Sequence, residues 1–491
     1  MNEPQSNSDF ARTALHGTAW RYLTFFSGKL MVFISTAVLA RLLTKDDFGV
    51  VGYAVTTIGF LDVMADMGIG PAIVYHSEDK RTATTAFWLN VVTSITLFGL
   101  TWLLAPLVAD YFRDPRATEV IRVLGLTYPL TAIGNIHEYL LRKKLYFNRT
   151  FLPDFLRAMT KGTVSILLAL SGFGAWSLIF GQLSGVLVAS LTYWAITPWH
   201  PTFTFLTSRA RSLLDYGLKY VGSSWVAIIL MNVDYLLIGR YLGPEALGVY
   251  TLAFRLPDLL ILQFARILST VLFPLYTRLR EVSGGLARGF FFTTRYISLI
   301  TVPLGVGLAL VARPFTQVVF TEKWLEAVPV IQAIAIYTVL LSLAYNAGSA
   351  YKAQGRPQVI TWLGLVRLLM LLPALWWAVT TARSIVAAGW MQATVALFSS
   401  ALNLYVAARL LRLPLGEVVH ALRPSFLAGI MMSGAVLATI ELSRTTPPWL
   451  QLTIAILTGA ATYLTALWLL QRQVLMEAGQ VLRAALQRSR G

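Results

Sequence analysis

The chain has no cysteine, and only 13% of its 491 residues are charged. Without thiols there can be no disulfide framework, thiolate metal site or cysteine nucleophile. Soluble globular domains carry roughly 25% charged residues, so about half that share excludes an ordinary soluble enzyme. Histidine is scarce as well. His16, His76, His137, His200 and His420 form neither an H-x-x-x-H nor an H-E-x-x-H spacing, so no transition-metal site is expected. No G-x-x-x-x-G-K-S/T phosphate loop occurs, so ATP bound to this chain is not expected to drive anything. No cofactor is called for.

What is present is apolar. Hydrophobic residues make up 56%, and the mean hydropathy is +0.64. This is the composition of a polytopic membrane protein. A helix needs about 20 apolar residues to cross the hydrocarbon layer. Fourteen such stretches are predicted, at 18–40, 48–70, 84–109, 118–140, 153–171, 174–197, 213–238, 246–273, 289–312, 325–349, 358–380, 385–408, 424–442 and 449–470. The first contains Arg21 and Lys29 with no A-x-A site after it, so no cleaved leader is expected. The connecting loops are short, leaving no room for an inserted soluble domain.

The net charge is +17. In a soluble protein that would suggest nucleic acid. Here both termini and the even-numbered loops hold 21 Lys and Arg against 9 in the odd-numbered loops. The positive-inside rule then places both termini in the cytoplasm and removes the need for a nucleic-acid partner. The tail 472–490 alternates an apolar face (Val474, Leu475, Ala478, Val481, Leu482, Ala485, Leu486) with Arg472, Arg483, Arg488 and Arg490. That pattern suits a basic amphipathic helix on the anionic inner leaflet, or a solvated tail.

An internal repeat is legible. Arg41-Leu42-Leu43-Thr44-Lys45-Asp46-Asp47-Phe48-Gly49-Val50 recurs, shifted by 199 positions, as Arg240-Tyr241-Leu242-Gly243-Pro244-Glu245-Ala246-Leu247-Gly248-Val249. Pro106 and Phe112 match Pro314 and Phe320. Gly134 and Arg142 match Gly348 and Arg356, and Ala175-Trp176 matches Gly389-Trp390. Two six-helix units of the same orientation are therefore expected, at 1–197 and 198–412. Two extra helices follow at 413–471, and the tail occupies 472–491. Paired parallel repeats are a common plan for secondary transporters.

Ten cations remain inside the spans. A charge there is costly and is a functional candidate by default. Arg21, Lys29, Arg157, Lys161, Arg255 and Arg266 are expected to line a wet cationic cavity that receives a phosphate or diphosphate, since arginine presents a planar fork to phosphate oxygens. Arg157 and Lys161 are four apart and share a helix face, as do Asp62 and Asp66. Arg255 and Arg266 are eleven apart, which in a straight helix returns to within about 20° of one face. Asp62 and Asp66 either pair with Arg157 and Lys161 or carry a coupling ion, and Asp258 either neutralises Arg255 or serves the same role. Arg122, Asp154, Asp215, Lys219 and Arg367 are read as lying near span ends, where side chains snorkel to the interface. Arg295 is left between the inner interface and the cavity. Pro257 marks either a hinge or a tolerated membrane proline. Phe290-Phe291-Phe292 is read as an interface belt.

The Arg41-to-Gly49 loop, the Gly174-Ala175-Trp176 turn and the Ala353-Gln354-Gly355-Arg356 segment resemble the polysaccharide transporter family. Its members are Wzx-type flippases within the multidrug/oligosaccharidyl-lipid/polysaccharide exporter superfamily. The resemblance implies an all-α protein of about 14 transmembrane helices, with two six-helix lobes in a V shape plus two C-terminal helices. It implies translocation of an undecaprenyl-diphosphate-linked oligosaccharide across the inner membrane, coupled to H+ or Na+. Membrane lipids, a polysaccharide polymerase and glycosyltransferases are the implied partners. It also implies that Arg21 and Arg255 are cavity cations. Fourteen spans and a cationic interior argue against a drug/cation antiporter of the same superfamily. A lipid II flippase stays open as an alternative. A membrane polymerase or ligase would be expected to carry a large outer loop or a dedicated acid motif. Asp46 and Asp47 instead sit where a helix starts.

Overall fold

The computed structural model describes residues 28–66, 80–144 and 146–488. The described residues are helical, without strands. In chain order they form α1 (28–42), α2 (Lys45–Asp66), α3 (Lys80–Phe112), α4 (Arg116–Leu124), α5 (Thr127–Lys143), α6 (Phe147–Leu170) and α7 (Ala175–Ile196). Next come α8 (Thr207–Pro257), whose helical backbone is broken at Gly243, a π-helical turn (Asp258–Leu262), α9 (Gln263–Leu279), α10 (Gly285–Val319) and a 3-10 turn (Glu322–Ala327). The chain ends with α11 (Val328–Ala353), α12 (Gln358–Thr380), α13 (Ile385–Leu411), α14 (Leu415–Leu442) and α15 (Pro448–Arg488). Among the described residues, 9 helices are long and apolar enough to cross a membrane. The chain forms two compact units, Met1–Gly248 and Val249–Gly491, the division falling within α8.

The repeated loop of the first unit is a helix start. Thr44 caps α2: its Oγ1 accepts from the Asp47 backbone N–H at 3.1 Å, while Asp47 Oδ2 accepts from the Thr44 N–H at 2.9 Å. This reciprocal arrangement satisfies two donors that helix geometry leaves without partners. Asp46 turns outward to Arg116, which binds it through both Nη atoms (2.6 and 3.0 Å) and holds Asp114 at 2.8 Å. Donating to the Asp46 and Asp114 carboxylates holds the Arg116 guanidinium above its ordinary pKa. Both acids of the motif are thus structural.

The two copies of the repeat meet. A methyl group on Gly49 would fall inside van der Waals contact of the Pro244 carbonyl and 2.7 Å from its Cα. One on Gly248 would likewise overlap the Lys45 carbonyl. Lys45 and Pro244, and Gly49 and Gly248, are equivalent under the shift of 199, so the contact is reciprocal. Only a residue without Cβ allows backbones this close. Nearby, the Arg240 guanidinium binds the carbonyls of Asp110 (3.3 Å) and Tyr111 at the C-terminal end of α3, a favourable place for a cation. Tyr53 stacks on Phe112 at 4.2 Å.

Two local expectations are corrected, the span 118–140 and the phenylalanine belt. The predicted span 118–140 is two helices, because the backbone tightens to i→i+3 bonding at Leu126, which donates to Val123 at 3.1 Å. Pro257 leads into a widened turn in which the Gln263 N–H reaches back five residues to Asp258. Proline has no N–H and its ring crowds the preceding turn, so the helix accommodates it by a π turn. Phe290 is fully buried among Leu272, Tyr276 and Tyr351 in the core of the second unit, while Phe292 is exposed. At one residue per 100°, three consecutive phenylalanines cannot all face the interface.

α14 and α15 pack on α10. Ser298 and Ser425 hydrogen-bond at 2.8 Å, and the Tyr463 hydroxyl donates to the Leu299 carbonyl at 3.0 Å. α15 breaks its helical geometry at Gln471 (φ −154°, ψ 67°), whose side-chain carbonyl accepts from Arg295. Helical backbone then continues to Arg488. The side chains of the predicted amphipathic tail beyond Arg472 lie outside the described residues.

Candidate functional site

In the first unit, α6 carries Arg157 and Lys161, and α7 holds it in place. Gly181 and Gly185 give α7 a groove one turn long that admits the α6 backbone. A methyl on Gly185 would lie 2.7 Å from the Arg157 carbonyl and 3.0 Å from Lys161 Cβ. On another side, Gly162 brings α6 against Ser35 of α1, with 3.0 Å left for a methyl. α1 carries Lys29, which is half-buried. Arg157 is exposed and Lys161 half-buried. Asp62 on α2 lies beside the Tyr128 hydroxyl and within electrostatic range of Arg157. Tyr128 is buried and donates to the Ile58 carbonyl at 3.1 Å, which ties α5 to α2. Arg21 lies outside the described residues, as does the side chain of Asp66.

Below that cluster, Asp154 accepts from the Tyr193 hydroxyl at 3.0 Å, and Glu138 pairs with Arg142 one turn on. Asp154 is therefore engaged within the bundle. Arg122 sits over the Trp102 ring at 4.7 Å and reaches the Trp102 carbonyl at 3.3 Å.

In the second unit the charges are arranged differently from the expectation. Asp258 does not neutralise Arg255 three residues before it. It pairs instead with Arg266, eight residues on, and its second oxygen accepts from Gln263 Nε2 at 3.2 Å. The intervening π turn is the reason. It adds about one residue to the turn, so the eleven-residue phase that would align Arg255 with Arg266 is displaced by about 100°. Arg255 is exposed on the last turn of α8.

Arg367 is the further correction. It lies near the middle of the 23-residue α12, not at its end. Its guanidinium donates to the Tyr337 hydroxyl at 2.9 Å and sits over the same ring at 5.6 Å. Phe254 of α8 packs on that ring at 5.8 Å. The sequence showed Arg367 as a span cation. Nothing in it singled out Tyr128 or Tyr337, because apolar helices carry many tyrosines and only packing selects those that meet a charge.

Helices long and apolar enough to cross a membrane, without strands among the described residues, define a polytopic all-α membrane protein. The chain matches the family described as polysaccharide biosynthesis protein over residues 38–329, and it belongs to that family. It is 28% identical over 461 residues to the teichuronic acid biosynthesis protein TuaB of Bacillus subtilis, covering 92% of this chain and 94% of TuaB. It is 26% identical to the succinoglycan biosynthesis transport protein ExoT of Rhizobium meliloti, over 73% of this chain and 72% of ExoT. The lipopolysaccharide biosynthesis protein WzxC of Escherichia coli is 25% identical over 70% of each chain. In fold it is similar to the lipid II flippase MurJ in an inward closed conformation (TM-score 0.73, 13% identity, 94% of this chain and 99% of MurJ). It is also similar in fold to an inward-facing multidrug resistance MATE family transporter (TM-score 0.60, 17% identity, 79% and 94%). The protein is thus a polytopic membrane member of the polysaccharide biosynthesis protein family.

Proposed function

We propose that this protein moves an undecaprenyl-diphosphate-linked oligosaccharide repeat unit from the cytoplasmic to the outer leaflet of the inner membrane by alternating access. The product feeds the assembly of a surface polysaccharide such as an exopolysaccharide, capsule or O-antigen. The observation that supports the reading is the set of basic side chains carried by the helices: Arg266 and Arg367 in segments long and apolar enough to cross a membrane, and Arg157 and Lys161 on α6. A cation at mid-membrane costs about 2.5–3.5 kcal/mol on insertion scales, so an anionic cargo gives these residues a purpose. Lys29, Arg255 and Arg21 complete the proposed diphosphate-receiving set. Asp62, Asp66 and Asp258 are the groups proposed to pair with it or to couple its cycle to H+ or Na+.

Repeats at 1–197 and 198–412 serve as the moving halves, and both termini face the cytoplasm. The protein catalyses no bond making or breaking. It hands its cargo to a polysaccharide polymerase after receiving it from membrane glycosyltransferases. Depletion in the native cell, followed by mass spectrometry of the polyprenyl-linked lipids, tests this. An undecaprenyl-diphosphate oligosaccharide should accumulate. A build-up of lipid II would transfer the function to peptidoglycan, and an unchanged pool while surface glycan is being made would refute both.

A further inference from the structure

The non-helical connector 197–206 joins α7 to α8 and reads Thr197-Pro198-Trp199-His200-Pro201-Thr202-Phe203-Thr204-Phe205-Leu206. It is strapped to the first unit along its inner side. Trp88 Nε1 donates to the Thr202 carbonyl at 2.8 Å, and the Leu206 N–H donates to Thr85 Oγ1 at 3.2 Å, so both ends of the 202–206 run are tied to α3. Trp199 lies 5.2 Å from the His137 ring and 6.2 Å from Phe87, and His200 lies 5.9 Å from Trp194. Trp194 and Trp199 pack on a core of Ala86, Phe87, Leu89 and Ile136. Pro198 and Pro201 fix two further backbone angles.

An aromatic edge is left outside this packing. The Thr202 and Thr204 hydroxyls bond each other at 2.9 Å, which puts them on one side of the run; side-chain alternation then puts Phe203 and Phe205 on the other. Phe203 is 94% exposed, the most of any large hydrophobic among the described residues, and Phe205 is 51% exposed. Phe203 is nonetheless fixed, stacked on the Trp88 ring at 5.3 Å and 25°. The surrounding charge is of one sign. No acid occurs from Phe155 to Leu214, and Arg209 and Arg211 on the first two turns of α8 are exposed. At the same end of the bundle α3 begins with Lys80-Arg81, and Lys144, just after α5, is exposed.

We propose that this edge seats the connector in the headgroup layer of the inner leaflet, with Phe203 and Phe205 at the acyl boundary and Arg209 and Arg211 on anionic lipid phosphates. Apolar aromatics rimmed by arginines match such a surface in both polarity and charge. Phenylalanine has no polar handle for sugar hydroxyls, so a glycan is the poorer fit. The connector is then held on two sides, by α3 and by lipid, and is not free slack between the repeats. The leaflet follows from the topology proposed above; the seating itself does not depend on the cargo.

Because the chain has no cysteine, one introduced cysteine carries a nitroxide label without background. Thr204→Cys and Phe205→Cys, each in the full chain, are compared in phosphatidylcholine vesicles with and without phosphatidylglycerol. Collisions with oxygen report the apolar layer, and collisions with a nickel chelate report water. The label at 205 should favour oxygen and the label at 204 the chelate. Equal accessibility at both positions means a solvated linker and overturns the proposal. Phosphatidylglycerol should deepen the label at 205. Arg209→Gln together with Arg211→Gln should abolish that response, each lost charge lowering the seated-to-unseated ratio by roughly fivefold. Phe203→Leu should keep the pattern and Phe203→Ser should lose it, since lipid requires apolar area and not a ring. If leucine fails as serine does, the edge serves a ring-specific ligand such as a sugar, and the proposal falls. Shielding at 205 in native membranes but not in vesicles of purified protein would assign the edge to a protein partner, with the same consequence. A membrane-impermeant maleimide should reach Thr204→Cys only after the cells are opened. Reaction in intact cells would overturn the inner-leaflet assignment and the topology behind it, while the depth pattern still decides the seating.

Discussion

Replacing Gly49 or Gly248 with alanine tests the seam where the two copies of the repeated loop meet. A methyl on Gly49 lies 2.7 Å from Pro244 Cα and closer still to its carbonyl, and one on Gly248 lies 3.0 Å from both the Lys45 carbonyl carbon and the Gly49 nitrogen. Carbon atoms pack best at about 3.5–4.0 Å, so the backbones must part by roughly 1 Å. Overpacking of this kind costs about 1–3 kcal/mol, and more where backbone atoms are the obstacle. The gain in helix propensity returns at most about 1 kcal/mol, since both glycines lie within helices. A net loss of about 1–2 kcal/mol is expected for each variant. Because either substitution opens the same seam, the double variant should lose less than the sum, with a coupling of about 0.5 kcal/mol or more. Thermal unfolding midpoints in one detergent at one heating rate measure this. Gly434→Ala is the control: nothing lies within 4 Å of its added methyl, and it should be neutral or slightly stabilising. If Gly49→Ala and Gly248→Ala behave like Gly434→Ala, or add independently, the reciprocal contact does not exist as described.

Gly185→Ala should lower translocation of lipid-linked cargo in a cell-based glycan assay, because its methyl presses on the α6 backbone at Arg157 and Lys161. Gly416→Ala, with open space around it, should not. Thr44→Ala should cost about 0.5–2 kcal/mol through loss of the α2 cap, and Thr44→Ser should restore most of it in the same unfolding assay. Arg116→Ala should cost no more than about 1 kcal/mol despite four side-chain hydrogen bonds to carboxylates, since the side chain is 55% exposed. That loss should shrink in high salt. Ser425→Ala should cost about 0.6 kcal/mol, the usual worth of one hydrogen bond between membrane helices, read as a small fall in midpoint.

The fold class was legible in the chain because it is written in local chemistry. Apolar runs of about 20 residues need no partner to be read. The Thr44-to-Asp47 cap works within three residues, so its structural role could be inferred from the motif. The same holds for the cations that hydropathy leaves stranded inside spans. What could not be read is which charges meet. Asp258 has Arg255 three residues before it and Arg266 eight after, and a straight helix favours the nearer one. The π turn after Pro257 reverses the choice, and its width depends on packing around Ile261 and Leu262, both buried. Arg367 was readable as a cation but not as the partner of Tyr337, thirty residues away. The repeat showed that Gly49 and Gly248 correspond. Their role became visible once chain segments nearly two hundred residues apart were brought into backbone contact, because close approach depends on separation in space and leaves no periodic trace along the chain.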